Sequence, residues 1–257
     1  MAKRERPRTG LPAGVEAAWG LRERPGRGPA RGLDVTRIVT AAIGIADAEG
    51  LAALSMSRVA AEVGVSAMAL YRYVESKDDL LILMEDAAIG PPQPGPDPER
   101  GWRAGMEHWT RAHRAVLRQH LWVVRIPIGT PPLSPHGVGW MEQALAYLRG
   151  TGLPAGEKLG ALMTLNGYVR SNVSLLADIE EATRAEGTEW EDVERRYWRL
   201  LAELTASGPF PAIKELLASG ELEGPPEADE MDGDFEFGMA TILDGVAARI
   251  RTHARDT

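Results

Sequence analysis

The stretch that most constrains the fold of this chain runs from residue 54 to residue 74, LSMSRVAAEVGVSAMALYRYV. Apolar side chains recur in its first half at spacings of three and four residues, which is typical of one buried helix face. Gly64 then allows the backbone to leave that helix in a left-handed conformation. Ser55 and Ser66 stand where their hydroxyls would cap the starts of a first and a second helix. The sequence therefore predicts two short helices joined by a tight turn.

The second helix of this pair keeps large polar and aromatic side chains on its outer face. Leu70 and Val74 lie one turn apart and would be buried, whereas Tyr71 and Arg72 would face outward. A helical hairpin inside an all-helical core is the alternative, but it would carry small or apolar residues at the outward positions. The pattern is typical of a helix-turn-helix, whose second helix lies in the major groove of DNA. The residues predicted to contact DNA in this region are Ser55, Ser57, Ser66, Ala67, Met68, Ala69, Tyr71, Arg72, Tyr73 and Lys77.

Residues 46–81, ADAEGLAALSMSRVAAEVGVSAMALYRYVESKDDLL, resemble the DNA-binding domain of the tetracycline-repressor (TetR) family of bacterial transcriptional regulators. The shared features are an apolar first helix, a Ser/Thr cap, a Gly-Val turn, a Leu-Tyr pair and a downstream lysine and leucine. The matching positions are Gly50, Leu54, Ser55, Gly64, Val65, Leu70, Tyr71, Lys77 and Leu80. Tyr73 departs from the family, which often has histidine there, although a tyrosine still donates to a phosphate. The resemblance implies an all-α regulator, most simply a homodimeric repressor that a small molecule releases from DNA.

The charge distribution agrees with a DNA-binding N-terminal part. The chain of 257 residues has a formal net charge of −8, which by itself does not favour a nucleic-acid partner. Residues 1–77 carry 12 basic and 8 acidic side chains, whereas residues 78–257 carry 17 basic and 29 acidic ones. A basic part attached to an acidic body orients a protein toward a polyanion.

Residues 1–33 form a basic arm rich in proline and glycine, and we expect most of it to be disordered. Only residues 15–22 are predicted to form a short helical turn, with Trp19 as its anchor. The arm would follow the DNA backbone or place an arginine in the minor groove. The alternative is a tail without a role. The arginines nearest the folded domain are the predicted contacts, namely Arg24, Arg27 and Arg31.

Proline-rich sequence divides the rest of the chain into two helical domains. Residues 34–90 are predicted to form the helix-turn-helix DNA-binding domain, with its first three helices followed by a fourth that a Ser76–Asp79 capping box opens. Residues 90–98, GPPQPGPDP, are a linker because proline blocks regular structure. Residues 91–257 are predicted to be an all-helical ligand-binding and dimerisation domain. Its helices are expected at residues 99–119, 121–126, 137–149, 154–186, 188–206, 211–218 and 232–254, the fifth opened by a box between Thr188 and Glu191.

Two of these helices are candidates for a dimer interface. Apolar residues in the helix at 154–186 alternate at spacings of three and four, which forms a heptad-like seam. Small residues in the last helix would let two helices approach closely. The predicted interface consists of Val173, Leu176, Phe235, Gly238, Met239, Ile242, Gly245 and Val246. Packing within one chain would satisfy the same stripes, whereas a two-fold dimer would match a palindromic operator.

The second domain is also rich in groups that could line a ligand cavity, which tends to be apolar and aromatic with a few polar groups. The predicted contacts are Trp102, Met106, Trp109, His113, Met141, Met163, Asn166 and Arg170. The alternative for each tryptophan and methionine is core packing. For His113 the pattern favours a structural histidine whose hydrogen bonds are satisfied over a ligand contact. Asn166 interrupts the apolar seam, so it would either bind the ligand or fix the dimer register.

Nothing in the sequence indicates an enzyme. No Ser-His-Asp set, HExxH motif or phosphate-binding glycine loop is present, and we expect no cofactor and no metal site. The lack of cysteine excludes thiol catalysis and favours a cytoplasmic protein, and no apolar run suggests a membrane span. The predicted function is a sequence-specific, DNA-binding homodimer released from its operator by a small, largely apolar or aromatic ligand. A constitutive DNA-binding dimer without an effector and a transcriptional activator are the alternatives.

Overall fold

The computed structural model describes residues 10–21, 33–127, 133–220 and 230–255, and the regular structure in these ranges is entirely helical. This confirms the predicted all-α class. The α-helices are α1 (Ala13–Ala18), α2 (Val35–Glu49), α3 (Met56–Val63), α4 (Ala67–Leu70), α5 (Lys77–Ile89), α6 (Gly101–Gln119), α7 (Pro135–Tyr147), α8 (Ala155–Glu186), α9 (Trp190–Thr205), α10 (Pro211–Ala218) and α11 (Glu230–Arg255). Short 3-10 helices lie at Leu51–Ala53, Pro98–Arg100 and Leu121–Arg125.

Helices α2 to α5 pack into the N-terminal domain, which we call the head, and local capping rules explain their starts. The Asp34 carboxylate accepts the N–H of Arg37 at 2.8 Å and caps α2. The inward face of α2 is apolar, as predicted. Residues from this face, α3 and α5 share one core, which includes Ile38, Val39, Ala42, Ile45, Val59, Leu80 and Met84.

The turn between α3 and α4 has the conformation that the sequence predicts. Ser55 Oγ accepts an N–H at the start of α3 at 3.2 Å, and Ser66 Oγ accepts the N–H of Ala69 at 3.3 Å. Gly64 has a φ of +76°, in the left-handed region that favours glycine. Leu70 and Val74 are buried in the head core. They hold α4 and the turn after it with the opposite face toward solvent.

The C-terminal domain, which we call the body, has a second core between α6, α7, α8 and α11. Its buried members include Met106, Trp109, Trp140, Ala144, Leu148, Leu165, Met239 and Leu243. Helix α7 turns Trp140, Ala144 and Leu148 inward. Val138, Met141 and Leu145, the other apolar residues spaced along this segment, are half-buried.

The start of α9 also differs from the prediction. The Thr188–Glu191 capping box does not form, because α9 begins at Trp190 without a side-chain cap. Gly187 adopts a left-handed conformation after α8, and the N–H of Thr188 donates to the carbonyl of Thr183 at 3.1 Å. Thr188 therefore belongs to the C-terminal turn of α8.

The N-terminal segment contains a helix that packs on α5. Gly14 and Val15 of α1 are buried, whereas Trp19 is 46% exposed. Gly14 and Val15 thus anchor this helix by burial, whereas Trp19 holds its C-terminal end through a hydrogen bond from the indole N–H to the carbonyl of Leu133. Arg24, Arg27 and Arg31 lie outside the described residues, so the prediction for them stays a prediction.

Candidate nucleic-acid interface and effector site

Helix α4 and the turn after it present a solvent-facing surface that we call the reading surface, formed by Met68, Tyr71 and Arg72. Met68 is 79% exposed and Tyr71 is 44% exposed, although both are large side chains. Arg72 is also exposed, and Ala67 and Ala69 are half-buried beside it. An apolar, an aromatic and a cationic side chain on one exposed helix match the methyl groups, phosphates and guanine edges of a duplex.

Five other residues predicted to contact DNA have defined positions around this surface. Ser55 and Ser66 use their hydroxyls as helix caps, while Ser57 is exposed. Lys77 Nζ donates to the carbonyl of Leu54 at 2.8 Å, which uses one of its three N–H donors and holds the start of α5 against α3. Tyr73 is half-buried and packs on the head core. Ser55, Ser66, Lys77 and Tyr73 therefore also shape the head, and the DNA contacts predicted for these five residues stay predictions.

The head contacts the body through α2. Asp47 Oδ1 accepts the indole N–H of Trp122 at 2.6 Å and lies 2.8 Å from His120 Nδ1. Both partners are at the short 3-10 helix that follows α6. One carboxylate therefore connects the last turns of α2 to two aromatic side chains of the body.

The head also contacts the body through α5. The backbone N–H of His136 donates to Asp86 Oδ1 at 2.8 Å, and the Trp140 indole donates to the carbonyl of Gly90 at 2.9 Å. Arg170 of α8 lies 3.9 Å from Glu85, which is too long for a hydrogen bond, and its other nitrogen contacts the carbonyls of Val123 and Ile126 at 3.4 and 3.3 Å. Burial raises the pKa of Glu85 and lowers that of Arg170. This ion pair is thus weakly formed at the point where α8 contacts the head.

Inside the body, His113 lies between two tryptophan rings. Its ring centroid is 5.0 Å from those of both Trp109 and Trp140. Its Nδ1 is buried and has no hydrogen-bond partner among the described residues. Burial, with a smaller contribution from Arg170, lowers the pKa of His113 to about 4. Among the described residues His113 is therefore a neutral imidazole whose Nδ1 has no protein partner, and its role as a structural or ligand-binding residue stays a prediction.

Four other residues predicted to bind a ligand lie in or against the body core. Trp102 and Met141 are half-buried against the core that contains Met106 and Trp109. The indole of Trp109 donates to the backbone carbonyl of Trp140 at 2.9 Å, and Trp140 is a core residue that the sequence interpretation missed.

Two predicted ligand contacts lie on α8, and one of them faces away from the body core. Met163 is 62% exposed because Leu162 and Leu165 take the inward positions of that turn, which contradicts its prediction as a cavity residue. Asn166 is half-buried.

The low pKa of His113 predicts a pH-dependent stability. The unfolded chain binds a proton at this histidine near pH 6.5 and the folded chain only near pH 4. The contribution of His113 to the free energy of unfolding is therefore fully present above pH 6.5 and is lost as the pH falls toward 4. We expect the free energy of unfolding to fall by about 2 kcal/mol between pH 7.5 and pH 5 through this group. Urea denaturation of the wild type and of His113→Phe measures it. A wild-type curve with the same pH dependence as the variant would contradict the assignment.

Most of the predicted dimer residues are buried within one protomer. Val173, Phe235 and Met239 have at most 1% of their surface exposed, and Leu176 and Val246 are also buried. They pack between α8, α11 and the rest of the body, so their prediction as interface residues was wrong. The intrachain alternative applies to them.

The remaining three predicted interface residues lie at the edge of this packing. The backbone of Gly238 lies against the Tyr168 side chain, whose Oη would be 2.2 Å from an added Cβ. Gly245 is exposed and Ile242 is half-buried, and both line a shallow groove of about 500 Å³ between α8 and α11. Only Gly245 and Ile242 therefore retain a surface that a partner could cover.

Known protein families match both the head and the body of this chain. The model of bacterial regulatory proteins of the tetR family matches residues 38–84, and the model of the tetracyclin repressor-like C-terminal domain matches residues 95–250. The chain belongs to the TetR family. It is therefore similar to bacterial transcriptional regulators in both its head and its body.

Individual relatives of this TetR-family chain agree with that assignment. It is 38% identical over 238 residues to the HTH-type transcriptional repressor DrrR1 of Streptomyces coeruleorubidus, covering 90% of this chain and 84% of DrrR1. The crystal structure of the TetR family protein ActR of Streptomyces coelicolor in complex with actinorhodin is 31% identical, with a TM-score of 0.66 over 85% of this chain and 98% of ActR. The ActR complex with (S)-DNPA is 29% identical, with a TM-score of 0.64 and the same coverage. This TetR-family chain is a DNA-binding transcriptional regulator.

Two further features apply to the described residues alone. No helix among them is long and apolar enough to cross a membrane. In the same ranges, no group of three or more histidine, aspartate or glutamate side chains is arranged to bind a metal ion.

Proposed function

We propose that this chain is a cytoplasmic homodimeric repressor that binds a palindromic operator through α4 and leaves it when a small, largely apolar or aromatic ligand enters the body. The observation that carries the proposal is the reading surface. Large apolar side chains are costly to expose without a partner, and Met68 and Tyr71 are held outward by the buried Leu70 and Val74. The partner that suits them beside Arg72 is duplex DNA.

Each member of the reading surface, and each of its neighbours Ala69 and Tyr73, has a role that its chemistry supports. Arg72 would bind the O6 and N7 acceptors of a guanine, which is the commonest specific contact in the major groove. Met68 and Ala69 would contact thymine methyl groups. Tyr71 would donate to a phosphate and fix the register of the head, and Tyr73 would do the same from its half-buried position.

The proposed dimer interface combines the outer faces of α8 and α11. Large apolar side chains are exposed there, including Met163 at 62% and Phe237 at 77% of their surface. Small residues lie between them and would let two helices approach closely, namely Gly160, Thr164, Gly167, Thr241 and Gly245. A two-fold axis through this face would place two reading surfaces on one duplex. The proposed interface thus uses the solvent-facing sides of α8 and α11, whereas most of the interface residues predicted from the sequence lie on the sides that face the body core.

The proposed effector site centres on His113. Its unpartnered Nδ1 offers one polar contact, and the rings of Trp109 and Trp140 offer flat apolar surfaces. The binding of actinorhodin by ActR supports an aromatic effector for this chain. Arg170 faces both this region and Glu85 of α5, so a ligand that moved Arg170 would act directly on the head.

Titration of a DNA complex tests the proposed function. The operator is first selected from random-sequence duplexes, and its binding is followed by fluorescence polarisation. We expect a two-fold symmetric operator and its release when an aromatic probe such as actinorhodin is added. A coupling free energy of about 1–3 kcal/mol corresponds to 5–150-fold weaker binding. A complex that no aromatic probe releases would favour the constitutive dimer, and a transcription assay distinguishes a repressor from an activator.

His113→Phe is a specific test of the effector site. The phenyl ring preserves the packing against Trp109 and Trp140 but removes the ring nitrogen, so we expect actinorhodin to release operator about 2- to 10-fold less effectively. Operator affinity without the probe should be unchanged. Leu216→Met, at an exposed position of α10, is the control and should respond like the wild type. Equal probe sensitivity in all three proteins would place the effector elsewhere.

A further inference from the structure

We propose that α1 is a strap that fixes the angle of the DNA-binding head against the body. It docks on α5 of the head, and the residue that follows it bonds to the chain segment that leads into α7 of the body. The strap would thereby position the reading surface without touching DNA. This inference rests on the proposed operator binding, but its structural part can be tested without DNA.

The contact between α1 and α5 is too close for a side chain at position 14. The N–H of Gly14 donates to Asp79 Oδ1 at 2.6 Å in a buried position. A Cβ added to Gly14 would lie 2.7 Å from the carbonyl oxygen and 2.9 Å from the Cα of Asp79. Both atoms belong to the backbone of α5, so no rotamer change would relieve the clash. Glycine is therefore required for α1 to lie where it does.

The other end of the strap contacts the body. The indole N–H of Trp19 donates to the carbonyl of Leu133, two residues before the start of α7, at 2.6 Å. Between the two ends, Val15 is buried, and Ala17 and Ala18 pack on the core of the head. One short segment thus combines a buried hydrogen bond to the head, apolar packing, and a hydrogen bond to the body.

The residue that holds α1 also sets the start of α5. Asp79 Oδ2 accepts the hydroxyl of Ser76 at 2.8 Å, and the N–H of Asp79 donates to Ser76 Oγ at 3.0 Å, which caps α5. This cap comes two residues after Val74, at the end of the reading turn. At its other end α5 meets the body through Asp86 and Gly90. A strap from Asp79 to Leu133 therefore runs beside the helix that connects reading surface and body.

The strap lies outside the stretches that the family models match. The two family models match residues 38–84 and 95–250, so α1 lies before both. The remaining contacts between head and body come from α2 and α5. Local stabilisation of the head is the competing explanation for α1, and it makes no prediction about the angle between head and body.

Spin-label distances distinguish the two explanations. The chain has no cysteine, so cysteines placed at exposed Met68 and Leu175 report only the distance between the reading surface and α8. Labelled chains are diluted in unlabelled protein so that only distances within one protomer are seen. We expect a narrow distribution in the parent and a broader or shifted one when Gly14→Ala is added. Gly233→Ala is the matched control, because a Cβ there has nothing within 4 Å.

Operator binding provides the functional readout. We expect Gly14→Ala to weaken binding to the selected operator at least about 5-fold, the lower end of typical coupling between sites. The slope of log affinity against log salt should be unchanged, since no charge is altered. The salt slope separates the strap from any electrostatic contribution of the basic arm.

Hydrogen exchange of residues 13–18 reports whether α1 remains docked on α5 in Gly14→Ala. If α1 remains docked, deletion of residues 1–21 removes it and completes the test. The proposal is overturned if undocking or deleting α1 leaves both the distance distribution of the labelled double-cysteine protein and the operator affinity of the unlabelled wild type intact. A changed distance distribution in a protein that binds no operator would support the strap and contradict the proposed function instead.

Discussion

Replacing Arg72 with alanine is expected to weaken specific operator binding by about 1–3 kcal/mol and to relax the base preference at one position of each half-site. The guanidinium is exposed on the reading surface, and its paired N–H donors match a guanine edge that no other base presents. The measurement is fluorescence polarisation with the selected operator and with each of its single-base variants. The loss should be confined to variants that keep the guanine.

Arg58→Ala is the matched control for this prediction. Arg58 is on α3 of the same head, so the charge change is identical, but its guanidinium binds Glu49 at 2.9 Å and Glu62 at 2.6 Å. We expect a small, uniform change for Arg58→Ala and a change in base preference only for Arg72→Ala. Operator discrimination that stays at the wild-type level in Arg72→Ala would show that α4 is oriented differently in the groove.

Replacing Thr241 with arginine is expected to abolish dimerisation and, with it, tight operator binding. Thr241 is exposed on the outer face of α11 and lines the groove between α8 and α11. In a two-fold interface the new cation would meet a small-residue surface and its own symmetry mate, and like charges facing each other cost several kcal/mol. Analytical ultracentrifugation at micromolar concentration would then detect a monomer, and each monomer would bind only one half-site.

Thr188→Arg introduces the same side chain at an exposed position after α8 and should remain dimeric. If Thr241→Arg also remains dimeric, the interface lies elsewhere. The strongest other surface is the apolar side of α9, where Tyr197, Leu200 and Leu204 are exposed. A charged substitution at Leu204 would then be the next test.

The head could be predicted in detail because its signals are local. A serine before each short helix, a glycine between them and an apolar spacing of three and four determine caps, turn and buried face within about 20 residues. Ser55, Gly64 and Ser66 all adopt the predicted conformations. Lys77 is the exception, because its hydrogen bond to the carbonyl of Leu54 joins residues 23 positions apart, and no local pattern predicts that contact.

The body could be predicted as helices but not as contacts. An apolar stripe shows that a helix face is covered, but it does not show whether the cover is the same chain or a second one. Val173, Phe235 and Met239 were therefore assigned to the wrong neighbour. Trp140 was missed because its indole needs the carbonyl of Gly90, a residue 50 positions away.

The strap is the clearest case of a feature that sequence patterns do not reveal. The sequence predicted a short helical turn at residues 15–22 within a disordered arm, but composition and local spacing describe only neighbouring residues and not the distant contacts of α1. Gly14 and Asp79 are 65 positions apart. The requirement for glycine arises only when both helices are in place.

We expect the exposed face of α4 to lie in a major groove of the operator. Methylation interference measures this placement base by base. Guanine N7 projects into the major groove, so methylation there should block binding at two symmetric clusters of the selected operator, about one helical turn apart. Arg72→Ala should remove the interference at one guanine of each cluster. A complex indifferent to N7 methylation, or one blocked only by methylation of adenine N3 in the minor groove, would contradict the account.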